Sequence, residues 1–174
     1  MEEGFVVFIV VFVLLMAVFA IAYIVGVSRA KKKVGVFTQF LKQHFPEVGD
    51  QKFLSASQAS KAPGLNIALL IDDAQRRIII LQDAKATGIT SKVYPFENFV
   101  MLESLNRIIE RGAWPNKVYS YEKSMTLRFD DGAQYHMFLE YITNKAGTDK
   151  GPGVVNQAFA PWEEKLNKIA RREI

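Results

Sequence analysis

Residues 124–141 read SMTLRFDDGAQYHMFLEY, and this stretch determines the fold class. Apolar residues alternate with polar ones over 124–129. Over 134–141 the apolar Tyr135, Met137, Leu139 and Tyr141 alternate with the polar Gln134, His136 and Glu140. An apolar–polar period of two is typical of a β-strand with one buried face. Between the two runs lies Asp131-Gly132, a residue pair that favours a tight hairpin turn. The stretch therefore predicts an antiparallel hairpin with one apolar face.

Upstream patterns predict further strands. Residues 66–71 and 77–81 are short runs rich in Ile and Leu, separated by turn-forming residues, which predicts a second hairpin with both strands largely buried. Residues 53–57 and 93–96 are predicted to be short extended segments. Residues 99–109 satisfy neither the helical nor the strand period cleanly, so helix and strand both stay open, and we prefer strand.

The end of the chain has the period of an amphipathic helix. Phe159, Trp162, Leu166 and Ile169 follow steps of three and four and therefore share one helix face. Pro161 suits the first turn of such a helix. The downstream pattern predicts six or seven strands followed by one helix, with Trp162 docked on the sheet.

The first part of the chain is apolar throughout residues 5–27. About 20 such residues suffice to cross a bilayer as a helix. A cluster of cations follows, and this cluster favours a cytoplasmic location for what comes after it. Its members are predicted to contact the membrane surface: Arg29, Lys31, Lys32 and Lys33.

A cleaved signal peptide is the competing interpretation of 5–27, since Ala20-Ile21-Ala22 has the small-x-small cleavage pattern. It is disfavoured because the chain begins with two glutamates and the apolar stretch is longer than that of a signal peptide. We therefore expect a single-pass membrane protein with its N-terminus outside and its C-terminal domain cytoplasmic.

Residues 34–45 follow with apolar side chains at spacings of three and four, which predicts a second amphipathic helix that ends before Pro46. Its apolar face has two candidate partners. The helix could lie in the lipid interface, or it could pack its phenylalanines on the domain. Packing is preferred because the polar face beyond Lys33 has only one cation.

The predicted fold class is α+β, with one N-terminal transmembrane helix and a mainly antiparallel domain capped by a C-terminal helix. The expected divisions are an external end (1–4), the span (5–27), a basic neck with an amphipathic helix (28–46) and the domain (47–174). This order of elements resembles the pleckstrin-homology-like fold, a strongly bent sheet or barrel capped by a C-terminal helix. It is also similar to small, functionally uncharacterised bacterial proteins that join one span to such a domain.

The resemblance implies a binding module rather than an enzyme. Lipid-binding members of that fold carry several basic residues in the first hairpin, whereas residues 55–73 of this chain contain Lys61 alone. Recognition of phosphoinositide headgroups is therefore a weaker expectation than recognition of a protein.

Catalytic and metal-binding patterns are sparse in the sequence. The chain has no cysteine, and its two histidines, His44 and His136, lack the spacing of metal ligands or of an acid–base pair. Asp72-Asp73 and Asp130-Asp131 fall at chain reversals, where aspartate bonds nearby backbone amides. We expect no enzyme activity, no metal and no cofactor.

The strongest basic cluster lies beside the apolar stretch, so nucleic acid is not an expected partner despite the net charge of +4. The expected partners are membrane lipid and a protein of unknown identity. The predicted function is a membrane-tethered adapter, and the alternatives are a structural subunit of a larger membrane complex and a lipid sensor. Trp114, Tyr119 and Tyr121 are the predicted partner-binding residues, in a loop between strands; alternatively, they cover the end of the core.

Overall fold

The computed structural model describes residues 16, 34–48, 51–58, 67–84, 88–112, 117–143 and 150–174. Residues 34–44 are helical and form the described part of helix α1, and helix α2 is Lys150–Ala170. Short 3-10 turns occupy Pro46–Val48 and Phe96–Asn98. The strands are β1 (Leu54–Ala56), β2 (Ile67–Asp72), β3 (Arg77–Ala84), β4 (Gly88–Pro95), β5 (Phe99–Arg111), β6 (Val118–Phe129) and β7 (Gln134–Thr143).

The strands form two antiparallel sheets. One has four strands in the order β1-β2-β3-β4, and the other has three in the order β5-β6-β7. Each strand pairs with its sequence neighbour, as expected for hairpin connections. The predicted hairpin of β2 and β3 is confirmed, and 99–109 belongs to a strand.

The predicted turn at Asp131-Gly132 is confirmed between β6 and β7. The backbone amide of Ala133 donates to the Asp131 carboxylate at 2.8 Å, and Gly132 has φ of 82°. This positive φ favours glycine, because any Cβ at the position is strained. The turn therefore sets the register in which Leu127 lies opposite Tyr135.

Replacing Gly132 with alanine is expected to destabilise the protein by about 1 to 2 kcal/mol through backbone strain alone. No atom within 4 Å would meet the added methyl group, so no clash contributes. Gly35→Ala is the matched control, since it also adds a methyl group in open space but lies in α1, where alanine is about 0.8 to 1 kcal/mol better than glycine. Urea unfolding should show shifts of opposite sign. Equal shifts would contradict the role of the turn.

The two sheets enclose one core, and α2 completes it. Ser57 and Phe138 exchange backbone hydrogen bonds of 3.0 and 2.8 Å, which join the β1 end of one sheet to β7 of the other. Inward-facing residues of both sheets meet the buried face of α2 in a single cluster. The helix contributes four buried residues to it: Val155, Phe159, Leu166 and Ile169.

Helix α1 covers the opposite, outer face of the four-stranded sheet. Its Phe37 and Leu41 are buried against Ala68 and Leu70 of β2 and Ile79 of β3. All six residues of β2 are therefore buried, since α1 covers one face and the core covers the other. Two partners were possible for this amphipathic helix, the lipid interface and the domain. In the structure, the helix packs on the domain.

The transmembrane part of the predicted fold class needs correction. In the described part of the chain, no helix is long and apolar enough to cross a membrane. Helix α2 has 21 residues but carries four charged side chains within one stretch of its second half: Glu163, Glu164, Lys165 and Lys168. The fold class that included a span is wrong on this finding, and so is the single-pass localisation. The segment to which the span was assigned, 5–27, lies outside the described residues except for Met16.

The position of Pro161 also differs from the prediction. Helix α2 begins at Lys150, so Pro161 lies inside the helix rather than in its first turn. Proline has no backbone N–H, and therefore the carbonyl of Gln157 receives no hydrogen bond from position 161. The buried face of α2 offsets this loss, because Phe159 and Leu166 on either side of the proline are fully buried.

Candidate functional site

A groove crosses the open edge of β1. Helix α1 lies on the outer face of the four-stranded sheet, and α2 contributes to the core on its inner face. Residues of both helices line one groove together with β1. A groove lined from both faces must pass over the edge of the sheet between them. We name it the α1–α2 groove.

The α1–α2 groove has a volume of about 1000 Å³, at the upper end of the usual ligand-site range of ~300 to 1,000 Å³. The segment 51–55, which leads into β1 and forms the beginning of that strand, lines the groove. Three parts of the chain form the walls: from α1 Val34, Thr38 and Leu41, from the end of β2 and its turn Ile71 and Asp73, and from α2 Ala158, Pro161, Trp162 and Lys165.

Trp162 is the largest side chain in the groove. It packs partly on the core and is half-buried, whereas Phe159 and Leu166 of the same helix are completely buried. The indole is therefore placed at the border between the core and the groove. Large aromatic side chains that are partly exposed in this way are frequent anchors of protein–protein interfaces.

Few charged side chains line the groove in the described part of the chain. Lys165 donates to the carboxylate of Asp73, so these two charges offset each other. Lys52 is exposed on the segment that leads into β1 and adds a positive charge at the rim. The groove therefore combines apolar walls with a weakly positive rim.

Arg77 holds the end of α1 to the sheet. Its guanidinium donates to Asp72 at 2.9 Å and to Glu47, which lies in the 3-10 turn after α1. The hydrogen bond from Arg77 lowers the pKa of the Glu47 carboxyl below its ordinary value. Arg77 also lies over the ring of Phe45, 5.6 Å from its centroid. These contacts fix the wall of the groove that α1 supplies.

A buried polar network fixes the other wall. The Lys123 ammonium of β6 donates to Glu163 at 2.6 Å and to Asn156 at 3.2 Å, both on α2. Ser104 of β5 donates to the other oxygen of Glu163. Lys123 is only 5% exposed, and its ammonium lies 5.9 Å from the centroid of Phe159. The Lys123–Glu163 pair therefore sets the position of α2 on the three-stranded sheet. Glu163 directly follows Trp162 in the sequence, so the pair also helps to position the indole.

The aromatic end of the core lies away from the groove. Tyr94 and Tyr135 share a hydrogen bond of 2.9 Å between their hydroxyls, and Tyr94 stacks on Phe129. Burial, followed by this hydrogen bond, raises the pKa of Tyr94 above its ordinary value. The two hydroxyls are hydrogen-bonded to each other and both rings belong to the core, so we assign this pair a structural role.

The predicted partner-binding residues do not form the groove. Tyr119 and Tyr121 lie on β6 rather than in a loop. Tyr121 is buried in the core and Tyr119 packs partly on it. This agrees with the second interpretation of these rings, that they cover the end of the core. Trp114 lies outside the described residues, and so do the predicted membrane contacts, Arg29, Lys31, Lys32 and Lys33.

The histidines and paired aspartates have structural surroundings. His44 stacks on Phe40, with ring centroids 4.1 Å apart, and His136 contacts the Thr126 hydroxyl at 3.0 Å. Asp72 accepts from Arg77 and from a turn amide, which confirms its interpretation as a turn residue. Within the ranges that the structure describes, no group of three or more His, Asp or Glu side chains could hold a metal ion.

Sequence reasoning missed the groove. The helical stripe predicts a buried Trp162, and no local pattern distinguishes Lys52 from other surface lysines. One signal was available: a tryptophan is rarely buried completely, so its ring at the edge of a helical stripe is a candidate for exposure. No protein-family model, curated protein or solved structure matches this chain.

Proposed function

We propose that this protein is a protein-binding module that receives an extended segment of a partner in the α1–α2 groove. The observation that carries the proposal is the position of the groove across the edge of β1, between two helices. An exposed strand edge binds an extended peptide through main-chain hydrogen bonds, and neighbouring pockets select its side chains.

The free part of this edge is short but accessible. In the described part of the chain, β1 pairs with β2 on one side and meets β7 only at Ser57. Residues 51–55 therefore offer room for a few residues of a partner strand. A short, partly covered edge of this kind limits indiscriminate pairing, so selectivity comes from the walls.

The walls favour a partner segment with a large apolar side chain and a nearby acidic residue. The apolar side chain would contact Trp162 and the buried Leu54 and Ile71 beneath it. The acidic residue would lie near Lys52, which is exposed at the rim. Rim charges of this kind mainly raise the association rate and the selectivity.

We also propose that the role is not catalytic. Among the residues that the structure describes, the titratable side chains that line the groove are Lys52, Asp73 and Lys165, and the last two are paired with each other. This arrangement provides neither a nucleophile with an adjacent base nor a pair of carboxylates.

The test is selection of binding peptides from a displayed library, followed by affinity measurement. Selected peptides are expected to share a large apolar residue next to Asp or Glu. Trp162→Ala is expected to raise the dissociation constant at least about 30-fold, the effect of losing an interface anchor of 2 kcal/mol. The chain has two tryptophans, so in a Trp114→Phe background the emission of Trp162 alone reports on the groove.

The matched control compares two exposed lysines. Lys52→Glu should weaken binding of the acidic peptides, whereas Lys92→Glu, on β4 and outside the residues that line the groove, should leave it unchanged. Peptides whose affinity is insensitive to both Trp162→Ala and Lys52→Glu would rule out the groove as the binding site.

A further inference from the structure

The second open edge is that of β5, and it is much longer. This strand has 13 residues and, in the part of the chain that the structure describes, pairs only with β6. Every residue from Glu103 to Ile108 is exposed. Protein edge strands are often protected by brevity, lysine, proline or a bulge. Strand β5 is long and has no lysine or proline, and its register shift, between Phe99 and Met101, lies before this exposed part. By contrast, the β4 edge carries an exposed Lys92 and ends at Pro95.

We propose that two copies of this chain associate through antiparallel pairing of their β5 strands, with Leu105 of each copy opposite Leu105 of the other. The two three-stranded sheets then join into one continuous sheet. An isologous pairing of this kind uses both free β5 edges and closes as a dimer.

Charge complementarity selects this partner and this register. With Leu105 at the two-fold axis, Glu103 of each copy lies opposite Arg107 of the other, which gives two attractive cross-strand pairs. An axis at Glu103 or Arg107 places a like charge opposite itself. An axis at Ser104 or Asn106 brings no opposite charges together.

The apolar residues match in the same register. Leu102 faces Ile108 and Met101 faces Ile109 of the other copy, and Ile108 is 67% exposed in the single chain. Next to the two-fold axis, the same register pairs Ser104 of each copy with Asn106 of the other. Both side chains are polar and lie on the face of the sheet that carries α2. Arg107 is exposed and lies opposite Glu122 of β6, and the second copy would place a Glu103 carboxylate on its other side.

Cysteine cross-linking tests the register, because the chain has no cysteine of its own. Facing residues of antiparallel strands have Cα atoms about 4.5 to 5.5 Å apart, within the range for a disulfide. The full-length Leu105→Cys variant is therefore expected to form a disulfide-linked dimer under mild oxidation. Ile108→Cys is the control: it is more exposed than Leu105, but its two copies would be about 20 Å apart along the strands.

Reversal of charge tests the partner. Arg107→Glu should raise the dimer dissociation constant about tenfold in sedimentation equilibrium, since two attractive pairs become repulsive. Glu103→Arg should do the same, and an equimolar mixture of the two variants should recover association as a heterodimer with both pairs attractive.

Three results would overturn the proposal: a monomeric wild-type chain, equal cross-linking at positions 105 and 108, or a mixture no tighter than the single variants. Because Glu103 also accepts from Arg128 within one copy, Arg107→Glu is the decisive single variant. Since Leu105 and Arg107 do not line the α1–α2 groove, peptide binding there is expected to be unchanged, and the two proposals fail separately.

Discussion

Replacing Phe159 with alanine is expected to lower the free energy of unfolding by about 3 to 5 kcal/mol, the usual effect of truncating a buried phenylalanine. Its ring is completely buried and joins α2 to the inward faces of both sheets. The melting temperature should fall by roughly 6 to 20 °C for a chain of this size. Thermal and urea unfolding followed by circular dichroism measure both quantities.

Gln157→Ala is the control for this experiment. It lies two residues away on the same helix, but its side chain is exposed, so its effect should stay within about 0.5 kcal/mol. Trp162→Ala should fall between the two, since the indole is half-buried. If Phe159→Ala is no more destabilising than Gln157→Ala, α2 does not complete the core.

Removal of the Lys123 ammonium is the second change with a large expected effect. Lys123→Ala leaves the carboxylate of Glu163 between α2 and the sheet without its cation. Loss of one partner of a buried ion pair typically destabilises a protein by about 3 to 5 kcal/mol, because the remaining charge is poorly solvated. Urea unfolding of the variant at neutral pH measures this loss.

A double replacement separates the charge from the packing. In Lys123→Met with Glu163→Leu, both charges are gone, and we expect stability close to that of the original chain, since well-packed apolar pairs often replace buried ion pairs without loss. Lys165→Ala removes a more exposed lysine paired with Asp73 and should cost no more than about 1 kcal/mol. A double variant as unstable as Lys123→Ala would show that the pair itself is required.

The strands could be predicted from the sequence because their signals are local. The alternation over 124–141 and the Asp131-Gly132 turn define β6 and β7, and the Ile- and Leu-rich runs define β2 and β3. These features depend on side chains a few residues apart, which a single sequence displays directly.

The groove could not be predicted in this way, because it joins residues distant in sequence. Val34, Lys52 and Trp162 meet only after α1 and α2 have packed on opposite faces of one sheet. The burial of Lys123 is a similar case, since its position in an alternating strand says which face it occupies but not that Glu163 lies opposite. For Tyr119 and Tyr121, the strand extended further than the aromatic pattern indicated, and they joined the core instead of a loop.

The cover that α1 gives to β2 and β3 has a consequence for aggregation. Residues 78–81 read IIIL, an uncharged run of high β-propensity that lacks proline, and such runs assemble into intermolecular sheets when exposed. Release of α1 alone would uncover Ile79 and Leu81 while the remaining sheet stays paired. This partial opening requires less free energy than global unfolding. Long-term solubility therefore depends on how tightly Phe37 and Leu41 hold the helix in place, more than on the melting temperature of the whole protein.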